Sequence, residues 1–421
     1  MRSLFFVVSI IAIVALAITT AFDKPVAWNW GPSDASLSGC GNDGTAYCNM
    51  ALGRKAPTPY RRRILTPLLV SLMPNTVLAS ARFRIFNLIC LAILASLTVV
   101  LTRRIVKNDG INPRRIKWGS LLAVPLIFLL PQLGLRWTIF YPALVDPLAN
   151  TIGLTWLILL TDKRRWVSCL APAAAFLTGI AREQWIPVGM AACAVMLIRD
   201  HSKKGSLGAG VFNLAGFFLS LILITFVDQD PNSINSWEIQ FTRGLELFRE
   251  HFFTAIGLQS VLWQTIFALG VFPLFVISWR FIKINAKPPP SKLTSLELYA
   301  IIIIAGHWLL AVIGTNDMHR IISSGAPCMI ALVLAKAIRN PKWEGDFTWA
   351  ILISTVLWNP GPPFLDGSLD NYHLIFSPVF LEGQLPLRFQ RDLLRLLALT
   401  TLWIILKSKP MLVLSRDRGA P

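Results

Sequence analysis

Long apolar stretches, separated by short polar segments, recur along the whole chain. A helix that crosses a bilayer needs about 20 mostly apolar residues, whereas a membrane β-barrel would show short alternating segments. The pattern predicts about twelve transmembrane helices, within a range of about 11 to 13. They fall at residues 4–21, 83–102, 118–135, 145–161, 166–181, 185–198, 206–227, 258–282, 297–314, 321–338, 347–358 and 389–406. The sequence therefore predicts an all-α polytopic membrane protein.

Two further stretches are predicted to be helices at the membrane surface. In the polar segment 228–257, four apolar side chains fall on one side of a helix, which favours a helix lying along the membrane: Trp237, Phe241, Leu245 and Phe248. The stretch 64–80 is too short to span comfortably and is interrupted by Pro67 and Pro74. It is therefore predicted to lie at the interface or to dip into it.

The chain is predicted to form two transmembrane bundles. The N-terminal bundle, 1–285, would carry a catalytic-type first outer loop at 22–63 and the interfacial outer segment 228–257. The C-terminal bundle, 286–421, would carry the outer loop 359–388, which is rich in Pro, Gly and Asp. Three consecutive prolines, Pro288 to Pro290, mark the linker between the two bundles.

Composition and charge agree with this topology. Hydrophobic residues make up 54% of the chain and charged residues only 15%, which is too apolar for a soluble protein of this size. With both termini in the cytoplasm, most of the net charge of +18 falls on inner loops, as the positive-inside rule expects. The span 4–21 is predicted to remain as a signal anchor, because no small-residue cleavage site precedes Asp23. No nucleic-acid partner is predicted, since topology already explains the basic charge.

The predicted topology places four charged motifs on the outer face, each at the end of an apolar span: Asn42-Asp43, Asp146-Pro147, Arg182-Glu183 and Asn316-Asp317-Met318-His319-Arg320. Their co-location predicts an active site at a membrane surface. Asp43 follows a glycine-rich turn close to the first span, where a carboxylate could act as general base on an incoming hydroxyl. A structural acid in a turn is the alternative.

The other motifs also allow two interpretations each. Asp146 is expected to cap a helix beside Pro147, or else to face a substrate. Arg182 and Glu183 are expected to form an ion pair at the outer surface, either locking two helices together or contributing to the site. Asp317 and Arg320 are three residues apart and share a helical face, so Asp317 could orient an Arg320 guanidinium that binds phosphate. His319 belongs to the same candidate substrate-binding set.

An arginine run lies on the outer side, against the positive-inside rule: Arg61, Arg62 and Arg63. Such a run binds lipid headgroups nonspecifically or holds a phosphate or pyrophosphate of a lipid carrier. Cys40 and Cys48 straddle Asp43 and would face an oxidising compartment, where they could form a disulfide or stay unpaired. No metal site is predicted, because there is no CxxC motif and the five histidines lack ligand spacing.

Several of these residues resemble a known family. The stretches Asp43 to Met50 and Pro59 to Pro67 look like the first-loop region of bacterial polytopic glycosyltransferases of the GT-C class. Later landmarks of that class are similar to three short motifs here: Asp146-Pro147-Leu148, Ala181-Arg182-Glu183, and Asn316-Asp317 followed by Arg320. The resemblance implies inverting transfer of a sugar from a polyprenyl-phosphate donor, on the outer face of a bacterial inner membrane, with Asp43 as catalytic base.

The chain also departs from that class. Asn42 precedes Asp43 where many members carry a second acid, and the WWDYG-type signature of oligosaccharyltransferases is absent. The resemblance then implies a lipid or cell-surface glycan acceptor. No cofactor is predicted, and dependence on a divalent metal is left open because a lone acid is a poor cation site. The alternatives are a transporter or flippase of a lipid-linked or small polar substrate, and a noncatalytic subunit of an envelope-polysaccharide assembly.

Overall fold

The structure is a computed structural model. It describes residues 34–57, 60–108, 141–162, 164–199, 206–227, 237–269, 293–314 and 318–339. Within these ranges the chain is helical, with no β-strand. Several predicted features lie outside the described residues: the spans 4–21, 118–135, 347–358 and 389–406, the linker at Pro288 to Pro290, the loop 359–388 and both termini.

The described part contains thirteen α-helices. In chain order they are α1 (Asn42–Ala51), α2 (Leu65–Ser71), α3 (Ala79–Asn108), α4 (Asp146–Leu160), α5 (Arg165–Ser168), α6 (Ala171–Ala181), α7 (Trp185–Arg199), α8 (Ser206–Val227), α9 (Trp237–Phe253), α10 (Ala255–Leu269), α11 (Ser295–Gly314), α12 (Met318–Ile322) and α13 (Ala326–Arg339). Short 3₁₀ turns occur at Ala35–Leu37, Tyr60–Arg62 and Ser323–Gly325.

Three of the described helices are long and apolar enough to cross a membrane: Ala79–Asn108, Gly208–Val227 and Ser295–Gly314. Three shorter apolar helices accompany them, at Asp146–Leu160, Trp166–Ala181 and Trp185–Arg199. All six coincide with predicted spans, and the three long ones are what a membrane protein requires. The total of about twelve spans, the sidedness and the two-bundle division stay predictions.

Small residues let neighbouring helices approach closely, as is common between helices in membranes. A Cβ added at Gly216 on α8 would lie 2.5 Å from the carbonyl oxygen of Pro172 on α6. Further along the same two helices, a Cβ at Gly179 would lie 2.0 Å from Ser220 Oγ. From the first contact to the second, the residue numbers increase along both helices, so α6 and α8 run parallel and lie close together.

Contacts between the helices define two ends of the bundle. Thr151 on α4 donates to the Cys90 carbonyl of α3 at 3.0 Å, and beyond it Arg104 of α3 pairs with Asp162, just after α4. The two helices therefore run parallel, and Arg104 and Asp162 mark one end. The opposite end is the starting end of α4, which begins at Asp146. That end carries the residues discussed below.

Three predicted helices are interrupted in the structure. The stretch 64–80 is helical from Leu65 to Ser71, is interrupted by the turn that contains Pro74, and becomes helical again at Ala79, where α3 begins. The span 166–181 is divided between α5 and α6, and the span 321–338 between the end of α12, a 3₁₀ turn and α13. Pro172 and Pro327 begin the second helix in these last two cases, because proline lacks an N–H and fits the first turn of a helix. Each of these runs is therefore helical in part, with an interruption near a proline.

The segment predicted to lie along the membrane does form a helix, α9. It packs against the end of α11, where His251 Nδ1 lies 2.7 Å from the Val312 carbonyl oxygen. Two of its large apolar side chains, Leu245 and Phe253, are exposed. The helix is thus confirmed, and its position at a membrane surface stays a prediction.

Candidate functional site

Three carboxylates and three guanidinium groups meet at the end of the bundle where α4 begins. This charged cluster consists of Asp43, Asp146 and Glu183 with Arg63, Arg182 and Arg320. All four motifs that the sequence analysis placed on one face contribute to it. Asp317 and His319 are exceptions within their motif, because Asp317 and the side chain of His319 lie outside the described parts.

Arg320 connects two of the carboxylates. Its Nη1 donates to Asp43 Oδ2 at 3.1 Å, and its Nε donates to Asp146 Oδ2 at 3.2 Å. On the other side of Asp146, Oδ1 lies 2.8 Å from Arg182 Nη1. Asp146 and Arg182 are 6% and 5% exposed, so this pair is held in a largely buried environment where each charge depends on its partner.

Arg63 and Glu183 form the second part of the cluster. The Arg63 Nε donates to both carboxylate oxygens of Glu183, at 3.0 Å and 2.8 Å, and Nη2 also donates to Oε1. The remaining Nη1 donates to the hydroxyl of Tyr47 at 2.6 Å. This forked contact is the geometry in which arginine binds carboxylates most strongly. It attaches the arginine segment to the turn between α6 and α7.

The backbone around Asp43 is fixed by close contacts. Asp43 is the second residue of α1, which begins after Gly41, a residue with a positive φ of 74°. The Gly44 N–H donates to the Tyr141 hydroxyl at 3.2 Å. A Cβ at Gly44 would lie 2.8 Å from that of Ala143, so the neighbouring chain fits only against glycine. The glycine-rich loop predicted here is thus the start of a helix.

Tyrosines surround Asp43 in a way that the sequence analysis missed. Tyr60 donates its hydroxyl to Asp43 Oδ1 at 2.8 Å, and its ring packs edge-on against Tyr47 at 5.6 Å between centroids. Together with Tyr141, these are three of the five tyrosines in the chain. Because tyrosine is rare in this chain, the occurrence of Tyr47 and Tyr60 close to Asp43 and of Tyr141 close to Asp146 was a signal that could have been followed.

A disulfide joins Cys40 to Cys48 across the first turns of α1. Both cysteines are fully buried, and their Cα atoms are 6.5 Å apart. Of the two options that the sequence left open, the structure has the bonded one. Because the bridge spans Asp43, it restricts the segment that carries the carboxylate.

Replacing both bridged cysteines, as Cys40→Ser with Cys48→Ser, should lower the free energy of unfolding. For a sequence separation of 8, closing the loop is expected to contribute about 2 to 3 kcal/mol. Thermal or denaturant unfolding in detergent micelles measures the effect. Cys169→Ser, at an exposed free cysteine, is the matched control and should change nothing. Equal stability of the double variant and the control would contradict a structural role for the bridge.

Neighbouring charges set the ionisation of the cluster. Burial alone would raise the pKa of Asp43, but the charge of Arg320 and the hydrogen bonds from Tyr60 and Arg320 outweigh it, so the pKa lies below its ordinary value. Burial lowers the pKa of Arg182, and the positive charges of Arg63 and Arg320 act in the same direction against the attraction of Asp146. Asp43 is therefore an ionised carboxylate at neutral pH.

The pKa of Glu183 predicts acid sensitivity. Burial opposes ionisation, but the charge and hydrogen bonds of Arg63 lower the pKa from 4.5 to about 2. A lowered carboxyl pKa gives stability that is complete above the unfolded value and is lost as pH falls towards the folded value. The thermal midpoint should therefore fall between about pH 4.5 and 2. Glu183→Gln should show a flatter profile over this window, and parallel profiles would contradict the assignment.

Two expectations about pairing were wrong. Asp146 does not cap α4: Val145 occupies the cap position, and the α4 start has no side-chain cap hydrogen bond. Its carboxylate instead lies between two buried guanidinium groups, whose charge attracts it more strongly than backbone N–H groups do. Arg182 and Glu183 do not form the predicted ion pair with each other at the surface. Arg182 turns inward to Asp146, and Glu183 pairs with Arg63.

The arginine run does not act as one unit. Arg63 is held by Glu183 and Tyr47, whereas Arg61 and Arg62 belong to the preceding turn, in which Arg62 is buried. Asp317, the predicted partner of Arg320, lies outside the described residues, so that pairing stays a prediction; among the described residues, Asp43 and Asp146 contact Arg320. Among the residues that the structure describes, no group of three or more His, Cys, Asp or Glu side chains is placed to hold a metal ion.

Polar side chains continue from the cluster towards the interior. Asn150, one turn after Asp146 on α4, accepts a hydrogen bond from Trp185 Nε1 at 3.3 Å. The Trp185 ring meets His307 edge-on at 4.4 Å between centroids. His307 is fully buried within a candidate span. The cluster thus rests on a small buried polar layer rather than directly on an apolar core.

Comparison with protein-family models, with curated proteins and with solved structures finds no match for this chain. The function is therefore argued from the geometry of the site.

Proposed function

We propose that the charged cluster is the active site of a membrane glycosyltransferase, which moves a sugar from a polyprenyl-phosphate donor to a lipid or cell-surface glycan acceptor. The observation that carries the proposal is the direct contact between Asp43, an ionised carboxylate, and Arg320 at 3.1 Å. Arg320 in turn lies beside the Arg182 and Asp146 pair. A candidate base is thus placed next to cations of the kind that bind phosphate.

The roles follow from the chemistry of such a transfer. Asp43 takes the proton of the acceptor hydroxyl while the acceptor oxygen forms a bond to the anomeric carbon. The bond from that carbon to the phosphate oxygen breaks on the opposite side, with inversion, and polyprenyl phosphate leaves. Arg182 and Arg320 stabilise the negative charge that develops on the departing phosphate. Tyr60 holds the carboxylate in position through Oδ1.

The same proposal includes the full topology, with about twelve spans, cytoplasmic termini and the cluster on the periplasmic or extracellular side of a bacterial inner membrane. The basic residues at the far end of the described bundle agree with this sidedness, whereas Arg61 and Arg62 make the cluster end basic as well. The far end carries Arg104, Arg164 and Arg199. An excess of basic residues marks the cytoplasmic end of membrane helices. The cluster itself is balanced, with as many carboxylates as guanidinium groups.

A flippase or transporter of a lipid-linked substrate is the second candidate. The observation that favours it is the buried layer beneath the cluster, where His307 lies inside a candidate span and contacts Trp185. Ionisable groups within spans often mark a transport path. The first candidate is preferred, because all six charges of the cluster lie at one end of the bundle.

The test uses the full chain in liposomes with polyprenyl phosphates that carry a radiolabelled hexose or pentose. The vesicles also contain a membrane glycolipid extract as a source of acceptors. The measured quantity is released polyprenyl phosphate, because it forms whichever acceptor receives the sugar. Release that depends on Asp43 supports the transferase. Movement of intact donor between leaflets, without release, would instead establish the flippase. Neither release nor movement with any donor would exclude both candidates.

A further inference from the structure

One guanidinium group serves two carboxylates in the cluster. Arg320 uses Nη1 for Asp43 and Nε for Asp146, at 3.1 Å and 3.2 Å. Both distances are at the long end for charge-assisted hydrogen bonds, which are usually about 2.7 to 2.9 Å. Asp146 has a second and shorter ion pair, with Arg182 at 2.8 Å. The Asp43 side chain is 28% exposed, whereas that of Asp146 is 9% exposed and lies between two cations, so of these two contacts the one with Asp43 is the more accessible to an incoming group.

Arg182 retains unused donor capacity in the same place. Its side chain is 5% exposed, and its Nε has no hydrogen-bond partner among the residues that the structure describes. A buried N–H without a partner is costly and usually marks a position completed by another group. The charges of Arg63 and Arg320 also act on Arg182, alongside that of Asp146, so two further guanidinium groups lie near this donor. A phosphate oxygen, which is an anionic acceptor, satisfies both conditions.

We propose that a phosphate group bound by Arg182 and Arg320 takes Arg320 away from Asp43, so that Asp43 becomes an effective base only when the phosphate site is occupied. The inference rests on the proposed function and adds that binding of the donor phosphate controls the basicity of Asp43. In the resting site the contact between Arg320 and Asp43 is inhibitory, because it keeps the carboxylate a weak base. The phosphate-linked donor therefore binds first and prepares Asp43 for the acceptor.

The charge balance gives the physical reason. The resting cluster has three carboxylates and three guanidinium groups, and a phosphate adds one or two negative charges. Among the described residues, the charged and titratable groups with the largest effects on the Asp43 pKa are Arg320, Tyr60 and Arg63. Arg63 remains bound to Glu183 and Tyr60 keeps its hydrogen bond, so Arg320 is the group that changes partners. Loss of a nearby opposite charge raises a carboxyl pKa by about 1 to 3 units.

The experiment measures protonation of Asp43 in the full chain in lipid nanodiscs. Dicyclohexylcarbodiimide modifies buried carboxyl groups in their protonated form, and mass spectrometry of the peptide that contains Asp43 gives the pH midpoint of labelling. Four conditions are compared: no addition, polyprenyl phosphate, inorganic phosphate and neutral polyprenol. Native mass spectrometry records binding of each lipid. We expect polyprenyl phosphate to raise the midpoint by about 1 to 3 pH units and polyprenol to leave it unchanged.

Three arginine variants add independent tests and a control. Arg320→Gln should raise the midpoint without any addition and abolish the further effect of phosphate. Arg320→Lys retains the positive charge and serves as the second variant if Arg320→Gln fails to fold. Its labelling midpoint should lie between those of the unsubstituted chain and Arg320→Gln. Arg54→Gln removes the arginine that pairs with exposed Asp34, and it should behave as the unmodified chain does.

The outcomes separate this inference from the proposed function. Bound polyprenyl phosphate with an unshifted midpoint overturns the exchange and leaves sugar transfer standing. A shifted midpoint in a protein that releases no polyprenyl phosphate from any donor supports the exchange and contradicts the transferase. An equal shift with inorganic phosphate supports the exchange and identifies free phosphate as a sufficient source. If neither polyprenyl phosphate nor inorganic phosphate binds, the exchange is overturned together with the proposed donor.

Discussion

Asp43→Asn lowers the rate of sugar transfer by about 10²- to 10⁴-fold, which is the usual contribution of a general base. Asparagine has nearly the volume of aspartate and can still accept the hydrogen bond from Tyr60, but it cannot take a proton from the acceptor. The loss should therefore appear in the turnover rate and much less in the concentration of donor needed for half-maximal rate. Release of polyprenyl phosphate, followed over a range of donor concentrations up to saturation, measures both quantities.

Asp34 offers a matched control for this prediction. It lies nine residues before Asp43 and is also an aspartate paired with an arginine, but it is exposed on the surface with Arg54. Asp34→Asn should leave the turnover rate unchanged. Full activity of Asp43→Asn, in protein that still forms the Cys40 to Cys48 disulfide, would remove Asp43 from the role of base. An equal loss in both variants would point to an indirect effect on folding.

The meeting of the motifs could be predicted from the sequence, whereas their pairing could not. Apolar runs indicate where helices begin and end, and the order of spans then assigns each end to a face. That reasoning placed Asp43, Asp146, Arg182 and Arg320 together, and the structure brings them into contact. Which side chains pair depends on the rotation of each helix about its axis, which is determined by packing across the whole bundle.

Arg182 and Glu183 illustrate this limit. As neighbours in a short turn they suggest one ion pair, yet the chain leaves α6 at Arg182 with an extended backbone. The two side chains consequently reach different partners, Asp146 and Arg63. Asp146 shows a related limit, because an acid at a helix start suits both capping and pairing. Only the position of the two guanidinium groups decides between them.

Removing one charge from the buried pair should have the largest effect on stability. Asp146→Asn leaves Arg182 without the only ion pair it makes among the described residues, at a site where its side chain is 5% exposed. Breaking a buried pair from one side typically costs about 3 to 5 kcal/mol. Arg182→Met should cost less, because Asp146 retains Arg320 at 3.2 Å. Denaturant unfolding in mixed micelles gives both free energies of unfolding.

The double variant, Asp146→Asn with Arg182→Met, makes the prediction sharper. Because it removes the uncompensated charge, it should be more stable than Asp146→Asn alone, and the cycle should give a coupling of about 1 to 3 kcal/mol. Asp34→Asn is again the exposed comparison, where loss of a solvent-screened surface pair should change stability little. Purely additive effects of the two substitutions, or a cost for Asp146→Asn no larger than for Asp34→Asn, would show that Asp146 and Arg182 do not depend on each other. In that case the charged cluster would hold its charges independently, and exchange of Arg320 between partners would lose its structural basis.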